Sequence, residues 1–169
     1  MGKYKLGLVN IKMGNVAGDG GMGTVLTAVG DTVAGTAVLT TEEAQTQDFK
    51  IEESDSPVKS IKTEADTMTL AWSTYASDAD TLVKMFGGTK VPAASGAGEI
   101  WNAPDAIPEI EQSIELQWKD GGKVRIPRAM ITASLNLSFK RDALSQIDIT
   151  AKVLQPTKAG VARLSIENG

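Results

Sequence analysis

The chain of 169 residues has the length of one domain, with 41% hydrophobic and 22% charged residues and a net charge of −4. It contains no cysteine and no histidine, which excludes disulfides, zinc–thiolate sites, imidazole bases and the Ser-His-Asp triad. No apolar run approaches the roughly 20 residues of a membrane-spanning helix, and the N-terminal stretch lacks the apolar core of a signal peptide. We therefore expect a single domain over residues 1–169 that is neither secreted nor bound to a membrane.

Charge is distributed unevenly along the chain. Residues 42–120 hold 16 acids and 6 bases, whereas residues 121–169 hold 8 bases and 3 acids. An acidic chain with few aromatic residues is not typical of nucleic-acid-binding proteins. This division into an acidic and a basic part favours head-to-tail docking between copies of the chain, because surfaces of complementary electrostatic potential select the partner and fix the register of the contact. The alternative is a compact fold that mixes both halves on one surface.

Most predicted elements are strands, because apolar residues recur at every second position. Tyr4, Leu6 and Leu8 predict the first strand, and residues 37–41 are β-prone. The five glycines of residues 13–23 predict an exposed loop arm between them. Further strands are predicted where apolar residues alternate or cluster: Phe49 and Ile51, then Val58 and Ile61, and then Met68, Leu70 and Trp72.

One short segment has the period of a helix. Ala79, Leu82, Val83 and Phe86 form an apolar stripe at helical spacing. Ser77 is the predicted N-cap, two aspartates favour the positive end of the helix dipole, and Gly87 is the predicted C-terminal stop. Residues 87–108, rich in Gly, Ala and Pro, predict a second loop arm. Within it Trp101 requires a pocket in its own chain or in a neighbour.

The strongest pattern is a three-stranded antiparallel meander over residues 110–154. Residues 110–118 alternate an apolar face with a polar, acidic face, and Asp120-Gly121-Gly122 predicts a hairpin turn. On the return strand the apolar parity switches at Pro127-Arg128, which predicts a bulge or bend. A turn at residues 141–144 leads to the third strand, and Val161, Leu164 and Ile166 predict a last one. Eight or nine strands are typical of a sandwich or barrel.

No pattern indicates catalysis, a cofactor or a metal. The glycine-rich Gly18–Gly23 stretch lacks the Gly-Lys-Ser/Thr of a phosphate-binding loop and no βαβ unit surrounds it. Glu111 and Glu115 share a strand face but lie roughly 13 Å apart along it, too far for a glycosidase pair. No calcium-loop motif is present. We expect no catalytic, cofactor-binding or metal-binding residue.

Three phrases give the chain a family resemblance. They are AVLTTEEAQTQDFKIEESDSPVKSI (37–61), LAWSTYASDADTLVKMFGG (70–88) and IEQSIELQWKDGGKVRIPRAMITASLNLSF (110–139). In this order the chain resembles the tail tube (major tail) proteins of long-tailed bacteriophages over most of residues 30–155. The resemblance implies a mainly β fold of two packed antiparallel sheets, flanked by one short helix and with long loop arms.

The same resemblance implies a structural role in the virion. Such proteins form hexameric rings that stack into a hollow tail tube, through which DNA passes without specific binding during ejection. The implied partners are further copies of the chain, the tape-measure protein and tail-end proteins. Assembly in the host cytoplasm is implied, and no membrane is involved.

Two sets of residues follow as candidates for the assembly. A lumen must let a polyanion slide, so we expect polar and acidic strand faces to line it. The candidates for the lumen are Thr67, Thr69, Glu111, Ser113, Glu115 and Gln117. The candidates for contacts between subunits are Phe49, Ile51, Glu52, Glu53, Pro57 and Trp101.

Other functions fit the sequence less closely. The inner tube of a contractile injection or type VI secretion-like system shares the implied architecture. A pilus or fimbrial subunit would need a secreted precursor and a donor strand. A carbohydrate-binding module would need aromatic platforms, but the chain has three scattered tryptophans. An enzyme is disfavoured by the absent histidine and cysteine.

Overall fold

The computed structural model describes residues 4–75, 78–94, 96 and 98–169. The strands of these residues are β1 (Leu8–Asn15), β2 (Thr27–Ala28), β3 (Val38–Glu42), β4 (Thr46–Ile51), β5 (Ser54–Lys62), β6 (Thr67–Thr74), β7 (Thr89–Pro92), β8 (Glu99–Asn102), β9 (Ile110–Trp118), β10 (Lys123–Asn136), β11 (Gln146–Val153) and β12 (Ser165–Glu167). One helix, α1 (Ala79–Phe86), lies between β6 and β7. The predicted class, a mainly β fold of antiparallel sheets with one short helix, is confirmed.

Eight strands form the main sheet, in the order β2-β1-β9-β10-β11-β6-β3, with β12 paired to β10. All of its described pairings are antiparallel. The hairpins β4–β5 and β7–β8 are separate two-stranded sheets. The strands are thus divided into one large sheet and two small ones, more unequal than the two sheets of a typical sandwich.

The predicted meander is confirmed as β9, β10 and β11. Gly121, in the left-handed region at a φ of 90°, allows the β9–β10 turn, where the Trp118 N–H donates to the Gly122 carbonyl at 2.9 Å. The register of β9 against β10 shifts between Ile126 and Ala129, so the bulge predicted at Pro127-Arg128 is confirmed. Because a bulge inserts one residue, both halves of β10 keep their apolar side chains on the same face of the sheet.

The core lies on one face of the main sheet. Every second residue of the central strands is buried there, including Ile114, Ile126, Ile149, Leu70 and Trp72. Residues of α1 and of the segments that follow β2 and β11 pack against this face. The opposite face carries the polar residues of the same strands, as strand alternation requires.

The helix covers part of the apolar face. Its buried residues are Ala79, Thr81, Met85 and Phe86, so Met85 takes a place that we predicted for Val83. Asp78 is the N-cap, and its carboxylate accepts from the Thr81 N–H at 3.2 Å. The predicted cap Ser77 lies outside the described residues.

The C-terminal stop of the helix at Gly87 is confirmed. Its φ is 73°, and its N–H donates to the Val83 carbonyl at 2.9 Å. A left-handed glycine of this kind ends many helices, because no Cβ opposes the conformation.

Two expectations for the N-terminal region were wrong. The first strand begins at Leu8, and Tyr4 and Leu6 precede it with 94% and 82% of their surface exposed. Residues 13–23 are not an exposed arm: Met13 to Asn15 end β1, and the rest folds back onto the sheet. Gly14 permits this, because a Cβ there would lie 2.0 Å from the Val25 carbonyl oxygen.

The second predicted loop arm, residues 87–108, is largely a hairpin. It contains β7 and β8, in which Thr89 pairs with Asn102 at one end and Pro92 pairs with Glu99 at the other. Residues 95 and 97 of this segment lie outside the described residues. Short β7 and β8 were missed because alternation over four residues is too brief to separate from a loop.

Candidate assembly surfaces

The polar face of the main sheet remains open over four neighbouring strands. We define the open face as the outward residues of β3, β6, β11 and the second half of β10, which the strand registers place on one side. They are Val38, Thr40, Glu42, Thr67, Thr69, Ala71, Ser73, Met130, Thr132, Ser134, Asn136, Gln146, Asp148, Thr150 and Lys152. Most are exposed or half-buried, so a surface rich in hydroxyl groups, with Glu42, Asp148 and Lys152 as its charged residues, faces away from the core.

Two of the residues proposed for the lumen, Thr67 and Thr69, lie on the open face. Thr69 is opposite Lys152 on one side and Thr40 on the other. The Thr67 hydroxyl donates to the Glu42 carboxylate at 3.2 Å. These hydroxyls are half-buried between neighbouring strands and still reach the surface.

Another two of the proposed residues, Ser113 and Gln117, lie where the chain itself limits access to the polar face. Ser113 is fully buried: its Oγ accepts from the Gly23 N–H at 2.8 Å and donates to the Pro127 carbonyl at 2.6 Å. Gln117 is half-buried between β1 and β10. The alternation of β9 predicted that Ser113 lies on the polar face of the strand. It did not predict that the loop after β1 covers Ser113, because alternation indicates the face of a residue and not what packs on that face.

Glu111 and Glu115, also expected to make the face acidic, are both paired with bases. Both Glu111 carboxylate oxygens accept from Arg128 at 2.7 Å, and this hydrogen bonding lowers the pKa of Glu111. Burial opposes the charge of Glu115, but Arg125 at 3.1 Å and Lys123 at 3.5 Å outweigh it and hold its pKa below the ordinary value. The acidic face predicted for β9 is therefore locally neutralised by β10.

Two strand edges next to the open face have no partner in the described chain. β3 pairs with β6 on one side, and its other edge, residues 38–42, is free. β9 pairs with β10 only as far as Ile131, so residues 132–136 of β10 are also free on that side. Free edges of this kind present unpaired N–H and C=O groups to another chain.

The β4–β5 hairpin carries five of the six residues proposed for subunit contacts. Phe49 and Ile51 lie in β4 with 43% and 49% of their surface exposed, and Pro57 lies in β5. Glu52 and Glu53 form the turn between the strands. Val58 and Ile61 of β5 are exposed as well. An exposed two-stranded sheet with four exposed apolar side chains has no core of its own to support it.

The sixth residue, Trp101, finds its pocket within its own chain. Its ring packs on Phe86, with centroids 5.8 Å apart, and its indole N–H donates to the Gly87 carbonyl at 2.8 Å. Lys90 of β7 also pairs with Asp80 of α1 at 2.9 Å and with Glu99 of β8 at 3.0 Å. The pocket that Trp101 was expected to need is therefore supplied by α1 of the same chain, and we do not propose Trp101 as a contact between subunits.

Two clefts on the described surface each hold few titratable side chains. One lies between β1, β9 and residues 30–39, and its titratable residues are Asp31 and Lys119. Another lies beside residues 13–17 and 24–27, with Lys84 as its titratable residue. Neither brings two carboxylates together. Among the described residues, no three acids converge into a metal-binding group, and no helix has the length and apolarity to cross a bilayer.

Comparison with known families agrees with the resemblance. The family described as "Phage tail tube protein" matches residues 26–167. The chain belongs to the phage tail tube protein family. It is a structural component of a phage tail. A search among curated proteins found no match.

The matched range spans the surfaces described above. It includes the open face, both free edges and the whole β4–β5 hairpin, and it excludes β1.

Proposed function

We propose that six copies of this tail tube protein close into a ring, and that stacked rings form a hollow conduit for DNA ejection. The open face would line the lumen. The observation that carries the proposal is this uncovered, hydroxyl-rich face, bounded on both sides by a free strand edge. A wall of this kind offers a sliding polyanion few cations to bind, so it would not hold the DNA.

Strand direction supports closure of the ring through the two free edges. β10, β11, β6 and β3 are neighbours with alternating directions. In a ring, β3 of one copy would therefore lie antiparallel to β10 of the next. Each free edge is five residues long, and its central residue, Thr40 or Ser134, faces the lumen side. Pairing the two edges removes both from solvent, which also removes a hazard of aggregation.

The size of the resulting barrel supports the copy number that the resemblance implies. Four strands from each of six copies make a barrel of 24 strands. At about 4.8 Å between strands and a tilt of about 40°, its backbone diameter is roughly 50 Å. Three copies would halve this to roughly 25 Å, which leaves much less free space between the side chains that line the barrel. The larger barrel leaves room for an extended macromolecule.

Cysteine cross-linking tests the ring, because the natural chain has no cysteine. Thr40→Cys and Ser134→Cys lie three strands apart in one chain, about 14 Å, so a disulfide between them must join two copies. We expect a ladder of cross-linked species on a denaturing gel that ends at six. The control pairs Thr40→Cys with Thr150→Cys, which lies inside the open face. The proposed pairing of β3 with β10 would be refuted by a ladder from the control pair alone. It would also be refuted if tubes of the Thr40→Cys and Ser134→Cys variant are seen by microscopy but give no cross-linked species.

The other parts of the proposal follow from the resemblance. The tape-measure protein and tail-end proteins are the proposed partners, and assembly takes place in the host cytoplasm. We propose that the chain acts as one domain and has no catalytic role. A tube protein of a contractile system shares the same ring, and no described feature favours it.

A further inference from the structure

The two ends of the open-face strands carry unlike surfaces. β3 leads into the β4–β5 hairpin and β6 leaves it, so the hairpin departs from the end marked by the Glu42–Thr67 pair. The loop of residues 137–145 joins β10 to β11 at the opposite end, beside the Thr74–Ile147 pair. The eight residues of β6 separate these ends by about 26 Å.

The hairpin end is apolar and acidic. Phe49, Ile51 and Val58 are 43–58% exposed near its tip. The tip residues 51–56 include Glu52, Glu53 and Asp55 and no base. None of these three carboxylates has an ion-pair partner in the described chain.

The opposite loop is apolar and carries two neighbouring cations. Phe139 and Leu144 are 93% and 71% exposed, and Leu137 before them is 45% exposed. Lys140 and Arg141 follow Phe139, and the exposed Asp142 comes next, so the loop carries two bases and one acid. Within the described residues neither cation forms an ion pair. An exposed phenylalanine beside unpaired cations is the composition of a contact surface whose partner is absent.

We infer that the tip of the β4–β5 hairpin of one copy docks on the 137–145 loop of another copy, and that this contact joins successive rings. The inference rests on the proposed tube. Apolar side chains on both surfaces supply buried area, and the acid–base match sets the direction. In the proposed tube the copies of successive rings point the same way along the axis, so the hairpin end of one copy faces the loop end of the next. The contact is head-to-tail, and it repeats without limit along an axis.

A charge swap tests the docking. Glu52→Lys with Glu53→Lys reverses the tip, and Lys140→Glu with Arg141→Glu reverses the loop. Each reversal places like charges in contact, so we expect the concentration needed for tubes to rise at least about tenfold. Combining all four substitutions restores opposite charges, and we expect it to return tube formation to near the natural level. Sedimentation and negative-stain microscopy give the readout.

A matched variant controls for net charge. Asp105→Lys with Glu109→Lys makes the same change in net charge as the reversal of the tip, at two exposed residues that form no ion pair in the described chain. We expect its tubes to match those of the natural chain. Circular dichroism confirms that every variant is folded.

The outcomes separate this inference from the tube itself. Reversed variants that still form rings but no tubes, with rescue by the swap, support both. If the natural chain forms tubes and neither reversal weakens them, the docking is refuted but the tube is not. The same conclusion follows if combining the four substitutions fails to restore tube formation. A natural chain that remains monomeric at every concentration overturns the tube and the docking together.

Discussion

The two small hairpins have the same architecture and opposite surroundings. In β7–β8, Trp101 packs on α1, and Lys90 links the hairpin to Asp80. In β4–β5, Phe49 and Ile51 are exposed, and the hairpin lies outside the core cluster. Two strands alone are marginally stable in water. One hairpin is therefore anchored on the core of its own domain, whereas the other makes no contact with the core in the described chain and is the one for which we propose a partner copy.

Removing the free hairpin gives the largest expected effect. Replacing residues 47–61 by an Asn-Gly turn joins Thr46 to Lys62, which already pair. We expect tube formation to be lost and the thermal unfolding midpoint to be nearly unchanged, since the hairpin contributes no residue to the core. Electron microscopy and calorimetry check the two halves of this expectation. Normal tubes from the shortened chain would show that the hairpin is dispensable.

The matching aromatic residues of the two hairpins give the next effect. Trp101→Ala loses the contact with Phe86 and a hydrogen bond, so we expect about 2–3 kcal/mol less stability in urea unfolding. Phe49→Ala removes a partly exposed ring, and we expect a change within about 0.5 kcal/mol. Equal losses from the two variants would erase the distinction between an anchored and a free hairpin.

A contrast between packed and exposed positions also exists among the glycines of residues 13–23. A Cβ on Gly23 would lie 2.2 Å from the Asn15 carbonyl oxygen, so Gly23→Ala requires a backbone shift. We expect a loss of about 2 kcal/mol in the free energy of unfolding. Gly18 has nothing within 4 Å of such a Cβ, and Gly18→Ala should be neutral or stabilise by up to about 0.5 kcal/mol. Urea titrations that rank the two variants in the opposite order would contradict the packing.

The smallest expected effect concerns acid stability of the covered part of the sheet. The folded pKa of Glu115 is lowered, so its ionised form stabilises the fold above about pH 4.5, and this contribution is lost as the pH falls below that value. At pH 7, Glu115→Gln should cost about 1 kcal/mol, because Arg125 loses its charged acceptor. The deficit should shrink toward pH 3 in urea titrations. Glu109→Gln, at an exposed residue, is the control, and a constant deficit would contradict the pairing.

Strand alternation was sufficient to predict the meander and the bulge at Pro127-Arg128, and helical spacing was sufficient to predict the helix. These depend on local period and on residues with restricted backbones, which the sequence displays directly. Alternation also assigned Thr67, Thr69 and Ser113 to the polar faces of their own strands. It did not reveal that Gly23 covers Ser113, because that contact joins residues 90 apart in the chain.

Charge and aromatic residues were less informative than the period. Glu115 was expected to make a lumen face acidic, but Arg125 and Lys123 lie beside it, and their pairing depends on strand register. Trp101 was expected to need a pocket, and the sequence left open whether its own chain supplies it. The partner of an exposed or buried group is a property of tertiary packing, so composition alone does not identify it.

Cryo-electron microscopy of the assembled protein shows directly which residues line the tube. We expect stacked six-membered rings whose inner wall presents Thr69, Thr132 and Thr150, with β3 of each copy beside β10 of the next. A tube with these residues on its outer surface or buried between subunits would refute the proposed lumen, and protein that stays monomeric at high concentration would refute the ring.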